Sequence, residues 1–141
     1  MIAYVDSSVI LRIELEQSGK LPEWGAIDRA ITSELTRVEC LVALDRTRID
    51  RRLDDITVMT ARVSILDTLE GIELVRLAPL ILDRAAEPFP TSLRALDAIH
   101  LATALAARDE IPEIVVASHD RRLGLAARAM GFQVLGVDLA A

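Results

Sequence analysis

Apolar residues fall into short unbroken runs and into longer stretches where they recur every three or four positions. The runs predict buried strands and the recurring positions predict helices. Residues 2–5 are apolar on both faces and stop at Asp6, the pattern of a buried parallel strand. Further strands are predicted at 29–32, 73–77 and 114–117, with 132–135 as a last edge strand. Ser7 or Ser8 caps a first helix carrying Val9, Ile10, Ile13 and Leu15, and residues 17–22 break it. Ser33 caps a second helix reaching about Thr47. Between Arg51 and Glu70 a stripe of Ile56, Met59, Val63, Leu66 and Leu69 predicts a third, ended by Gly71. Pro79 fits the first turn of a short helix. Thr91 or Ser92 caps a strong helix through about Arg108, and Pro112 breaks the chain. Asp120 opens a last helix that Gly131 ends.

This alternation of strand and helix predicts an α/β fold, a central mostly parallel sheet of four to five strands with helices on both faces. Ligands of such sheets bind outside the carboxyl ends of the strands. The 141 residues fit one domain, 1–141, without repeat, linker or low-complexity tract. Hydrophobic residues make up 52% and aromatic ones 3%, so the core must be aliphatic. A single cysteine, Cys40, leaves no internal disulfide and suits a reducing compartment. The first residues lack the pattern of a secretory signal, and no apolar run approaches the ~20 residues of a membrane span. The expectation is a cytoplasmic protein without a membrane partner.

Four acids stand out by position. Asp6 follows the first strand and Asp120 the fourth, so both are expected at carboxyl ends of strands, where either could equally be a helix N-cap. Glu39 and Asp97 lie within predicted helices among apolar neighbours: Leu35, Val42 and Ala43 around Glu39, and Leu93, Leu101 and Leu105 around Asp97. A buried carboxylate must be protonated, paired or metal-bound, and Arg94 is placed to pair with Asp97. Clustered oxygen ligands suit Mg²⁺ or Mn²⁺, and no Cys/His spacing suggests zinc. Asp6 and Asp97 are the expected direct ligands, with Glu39 and Asp120 holding a second ion or orienting water. His100 and His119 stand beside Asp97 and Asp120 as candidate contacts to substrate or to the ligating acids.

The net charge of −6 argues against a nucleic-acid partner, whose usual footprint is basic. Metal bound at the acids would soften that objection. So does the use of Arg at fifteen of the sixteen basic positions, Lys20 being the exception; Arg forks match phosphate. Arg46, Arg48, Arg51 and Arg52 cluster, as do Arg121 and Arg122.

Tyr4-Val5-Asp6-Ser7-Ser8, the helix Thr32-Ser33-Glu34-Leu35-Thr36-Arg37-Val38-Glu39, the segment from Leu93 to Ala104 and Ala117-Ser118-His119-Asp120-Arg121-Arg122-Leu123 together resemble PIN-domain proteins, and most of all the VapC toxins of bacterial toxin–antitoxin pairs. The resemblance spans nearly the whole chain, in order. It implies a three-layer α/β/α fold and a metal-dependent endoribonuclease. Asp6, Glu39, Asp97 and Asp120 stand in the places of the family's four catalytic acids. Ser118 and Ser7 stand where the family often has threonine, and Ser7, Ser118, His100 and Arg94 are the candidate auxiliary residues. It further implies cleavage of RNA to 5′-phosphate and 3′-hydroxyl ends, homodimerisation, and neutralisation by a cognate VapB-type antitoxin.

Other readings stay open: a PIN nuclease of RNA processing outside a toxin–antitoxin pair, or a PIN scaffold that binds RNA or a partner without cutting. A receiver-type phosphoacceptor is disfavoured, because it needs a lysine on a late strand and Lys20 lies in an early turn. The sequence names no RNA target.

Overall fold

The computed structural model describes residues 1–15 and 17–140. In chain order these form β1 (Ile2–Val5), α1 (Ser7–Glu14), β2 (Arg29–Ser33), α2 (Leu35–Asp50), α3 (Asp55–Glu70), β3 (Glu73–Val75), α4 (Pro79–Ala85), α5 (Ala95–Glu110), β4 (Val115–Ala117), α6 (Arg121–Ala129) and β5 (Val134–Leu135). The strands pair side by side as β3-β2-β1-β4-β5, and every pairing is parallel.

The central strand β1 sits where the chain reverses its direction of travel across the sheet. It pairs with β2 on one side (Ala3 opposite Ala30) and with β4 on the other (Val5 opposite Ala117). Connections leave these two edges in opposite senses, which opens a crevice past the carboxyl ends of β1 and β4.

Strand periodicity divides the core in two. Ala3, Val5, Val115 and Ala117 pack with Val9, Ile10, Cys40, Leu44, Ile65 and Leu69 from α1, α2 and α3. Tyr4, Ile31 and Val116 pack on the other face with Leu101 and Ala104 of α5 and with Leu123, Ala126 and Ala127 of α6. The result is three layers, α/β/α, filled mainly by aliphatic side chains. Trp24 is half-buried against the first of these cores. Among the described residues no helix is long and apolar enough to cross a membrane.

Three local features differ from the sequence expectation. First, the predicted stripe of α3 faces outward over Ile56, Met59 and Val63, and of its members only Leu69 is buried. Ile56, Met59 and Val63 are 72%, 57% and 52% exposed, while Val58, Ala61, Ile65 and Leu69 turn inward. α3 carries apolar residues at helical spacing on two neighbouring faces, and spacing alone does not say which face meets the sheet. Second, α2 buries Thr36, Cys40 and Leu44, and Val42 is exposed, so Glu39 lies beside the buried face rather than within it. Third, α5 begins at Ala95, with Arg94 in extended conformation at the N-cap and no side-chain cap. Neither Thr91 nor Ser92 caps it. The extended Arg94 delays the helix and puts Asp97 in its first turn.

Candidate active site at the sheet crossover

Asp6 ends β1 and is only 4% exposed. It is the N-cap of α1: Oδ1 accepts from the backbone N–H of Ser8 (3.1 Å) and Val9 (3.4 Å) and from the Ser8 hydroxyl (2.5 Å). Oδ2 accepts from the Ser118 hydroxyl at 2.6 Å. Ser8 and Ser118 therefore support Asp6 instead of capping in its place. Burial raises the Asp6 pKa, and the nearby His100, the two serine hydroxyls and the Val9 N–H only partly offset it.

Asp120, just past β4, is the N-cap of α6 through Oδ1, which accepts from the N–H of Arg122 (2.8 Å) and Leu123 (3.2 Å). Its own N–H donates to Ser118 Oγ at 2.9 Å. One buried hydroxyl thus joins the acids at the ends of adjacent strands. That loop is held from the far side by β5. Gly136 has φ +93°, and a Cβ there would lie 2.4 Å from the Ser118 carbonyl oxygen. His119 Nδ1 reaches the Gly136 carbonyl at 2.9 Å, and the His119 N–H donates to Ser8 Oγ at 2.9 Å.

Glu39 is carried by the second turn of α2 and Asp97 by the first turn of α5. Both line one open cleft of about 640 Å³ together with Asp120, Arg94, Arg121 and Arg122. Glu39 Oε1 is 2.5 Å from His100 Nε2, and the other ring nitrogen of His100 meets the Tyr4 hydroxyl at 2.7 Å. Burial pulls the His100 pKa down, but the Glu39 hydrogen bond and the charges of Asp6, Glu39 and Asp97 outweigh it and the net shift is upward. Asp97 is pushed up to about 6, first by burial and then by Asp120, with Asp6 and Glu39 adding to the rise and His100 opposing it. Asp97 therefore feels the charge of the other three acids.

Arg94 is not the partner of Asp97. It lines the same cleft, but no ion pair joins the two among the described residues. As the N-cap, Arg94 precedes the helical turn that carries Asp97. Ser7 is half-buried and its hydroxyl makes no hydrogen bond among the described residues; the contact to Asp6 falls to Ser8. The basic cluster at Arg46–Arg52 lies at the other end of α2 from Glu39, and Arg48 there pairs with Asp45 at 2.8 Å.

Tyr4 and Ser8 went unrecognised as site residues in the sequence. The signal for Ser8 was its place two residues after Asp6, the spacing of a side-chain-to-backbone turn. For Tyr4 it was the one polar tip in an aliphatic strand, on the face opposite Ala3 and Val5. Among the described residues no three His, Cys, Asp or Glu side chains stand close enough to enclose an ion as they lie. The hydrogen bonds give the reason: Asp6 is turned to Ser8 and Ser118, Asp120 to the start of α6, and Glu39 to His100.

Known proteins share this chain's sequence pattern and fold. Residues 3–129 match the PIN domain family. Ribonuclease VapC46 of Mycobacterium tuberculosis is 33% identical over 132 residues, covering 94% of this chain and 95% of its own. Ribonuclease VapC35 of the same species is 36% identical over 140 residues, covering 94% of each. Two solved structures share the fold. A toxin–antitoxin complex from Klebsiella pneumoniae superposes with a TM-score of 0.61 at 15% identity, over 90% of this chain and 93% of that one. PAE2754 from Pyrobaculum aerophilum superposes at 0.64 and 19% identity, over 94% and 83%. From its sheet order, its acid-lined crossover cleft and these matches, the chain belongs to the PIN-domain family, in its VapC branch.

Proposed function

We propose that this protein is a Mg²⁺- or Mn²⁺-dependent endoribonuclease toxin, restrained by a cognate antitoxin of the VapB type. The observation that supports the reading is that Glu39, Asp97 and Asp120, from three separate parts of the chain, line one crossover cleft, with the buried Asp6 joined to Asp120 through the Ser118 hydroxyl. The names of the mycobacterial relatives support the ribonuclease assignment, and the Klebsiella complex supports an antitoxin partner.

The donor set fits a hard divalent cation. All four candidate ligands are carboxylates, and burial together with the neighbouring acids raises the Asp97 pKa, a cost that a bound cation would relieve. Asp6 and Asp97 would hold the metal, with Glu39 and Asp120 beside them. Bound there, such an ion lowers the pKa of a water and offsets charge on a scissile phosphate.

The chain's own residues do the rest. Ser118 and Ser8 orient Asp6 from both oxygens. Asp120 is held by the first turn of α6 and keeps one oxygen free of that cap. Arg94, Arg121 and Arg122 flank the acids on the cleft wall, where guanidinium forks suit RNA phosphates. An antitoxin side chain of Arg or Lys entering the cleft would meet the same four acids and block it. The outward stripe Ile56, Met59 and Val63 of α3 supports a homodimer through that face.

The test is RNA cleavage with added Mn²⁺. Wild type should cut, EDTA should abolish cutting, and Asp97→Asn should lower the rate by about two orders of magnitude or more while staying folded. Full activity of Asp97→Asn at saturating metal would remove the cleft from the chemistry. RNA binding without any cutting by the wild type would favour the scaffold reading.

A further inference from the structure

A chain of hydrogen bonds runs from the middle of the sheet to Glu39. Tyr4 projects from β1 toward α5 and is fully buried. Its hydroxyl stands 2.7 Å from His100 Nδ1, and His100 Nε2 stands 2.5 Å from Glu39 Oε1. The three residues belong to β1, α5 and α2, so the chain ties both helical layers to the central strand. His100 is 2% exposed, in a core otherwise built largely from aliphatic side chains. A buried imidazole is tolerated only when both nitrogens find partners, and here both do.

We infer that His100 is a positioning residue for Glu39, with Tyr4 fixing the ring so that Nε2–H donates to the carboxylate. The inference rests on the nuclease reading of the cleft. It follows from the inventory of donors and acceptors. An ionised carboxylate has no proton to give, so the nitrogen facing it must carry one. A neutral ring then presents Nδ1 as an acceptor for the Tyr4 O–H. A charged ring donates from Nδ1 to the same phenol oxygen. Tyr4 serves either case because a phenol O–H can both donate and accept. In both states Nε2 stays protonated, Oε1 stays engaged, and Oε2 is left for the cleft that Glu39 lines with Asp97 and Asp120. The ordering of a long flexible side chain is then settled by folding rather than at the moment of metal binding.

The test compares wild type, His100→Gln, His100→Leu and Tyr4→Phe as full-length protein. It reads Mn²⁺ affinity without RNA by the resonance of free Mn²⁺, kcat and KM for RNA, and the ¹⁵N pattern of the His100 ring in the metal-free protein. Gln presents an amide N–H near the place of Nε2, so His100→Gln should keep affinity and kcat within severalfold of wild type. His100→Leu should weaken Mn²⁺ binding and lower kcat by about 10–100-fold with KM little changed, the usual effect of losing a partner of a metal-ligating group. Tyr4→Phe should leave Nδ1 without a partner, change the ¹⁵N pattern of the ring it no longer anchors, and weaken Mn²⁺ binding severalfold.

If His100→Leu does not fold, Tyr4→Phe carries the test alone, and a Tyr4→Phe protein with unchanged ring pattern and unchanged Mn²⁺ affinity overturns the inference. So does a folded His100→Leu protein that matches wild type, or a His100→Gln protein as impaired as His100→Leu. A wild type that neither binds Mn²⁺ nor cuts RNA defeats the nuclease reading instead. The ring pattern still decides the inference in that case, since a wild-type ring protonated at Nδ1 alone contradicts it.

Discussion

Asp97 shows what a half-buried acid in this cleft costs the metal-free protein. Its carboxyl is raised from 3.8 to about 6 by burial and by Asp120, with Asp6 and Glu39 adding. A group that binds its proton more tightly folded than unfolded favours folding at low pH. That contribution is complete below about pH 4 and is lost as pH rises through about 6. In EDTA, therefore, Asp97→Asn should be more stable than wild type at pH 7, by about 1 kcal/mol once solvent screening in the open cleft is allowed for. The gap should close toward pH 4, and thermal melts of both proteins across that range check it. A less stable Asp97→Asn at pH 7 would mean that Asp97 has a favourable partner in the metal-free fold. Arg94 gives a second residue-scale prediction. It lines the cleft without pairing to Asp97. If it contacts a phosphate, Arg94→Ala should raise KM for RNA of any sequence, leave kcat nearly unchanged and reduce the salt slope by about 1. The four acids were visible in the sequence because each broke a local pattern. Their supports were not. Ser8 and Ser118 are ordinary cap residues until a second strand end is brought beside the first, and that proximity depends on sheet order.

Elements that end in strong punctuation were readable, and those without it were not. The strands lie within a residue or two of their predicted bounds, because short apolar runs between polar turns leave little freedom. The start of α6 was equally clear, with Asp120 at the N-cap. α5 starts later than its serine and threonine suggested, because the chain stays extended through Arg94. α3 was legible as a helix but not in orientation, since two apolar faces compete on it. The edge strand β5 does more than its two residues suggest. Through Gly136 it presses on the loop that carries Ser118 and Asp120. Gly136→Ala would combine a left-handed φ with backbone overlap. It should cost about 1–3 kcal/mol by denaturant midpoint, and it should lower cleavage more than a comparable destabilisation elsewhere. Unchanged stability would show that β5 yields without moving the site.

At the scale of the whole molecule, the fold brings acids to one end of the sheet and leaves apolar surface on α3. The net charge of −6 and the acid cluster oppose RNA binding. Bound cations, together with the Arg94, Arg121 and Arg122 wall, are what the proposed function offers against that repulsion. The exposed Ile56, Met59 and Val63 stripe predicts self-association. Val63→Lys should convert a dimer to a monomer in sedimentation while leaving the far-UV spectrum intact. A wild type that sediments as a monomer at tens of micromolar would leave the stripe without a homodimeric role. A parallel sheet with helices on both faces followed from alternation, whereas strand order, which creates the cleft, has no local signature.

The most direct measurement is an anomalous difference map from crystals grown with Mn²⁺. The account predicts a peak in the crossover cleft about 2.0–2.3 Å from carboxylate oxygens of Asp6 and Asp97, absent in Asp97→Asn. A map without a peak there at millimolar Mn²⁺, or with its only strong peak on another surface, would contradict it.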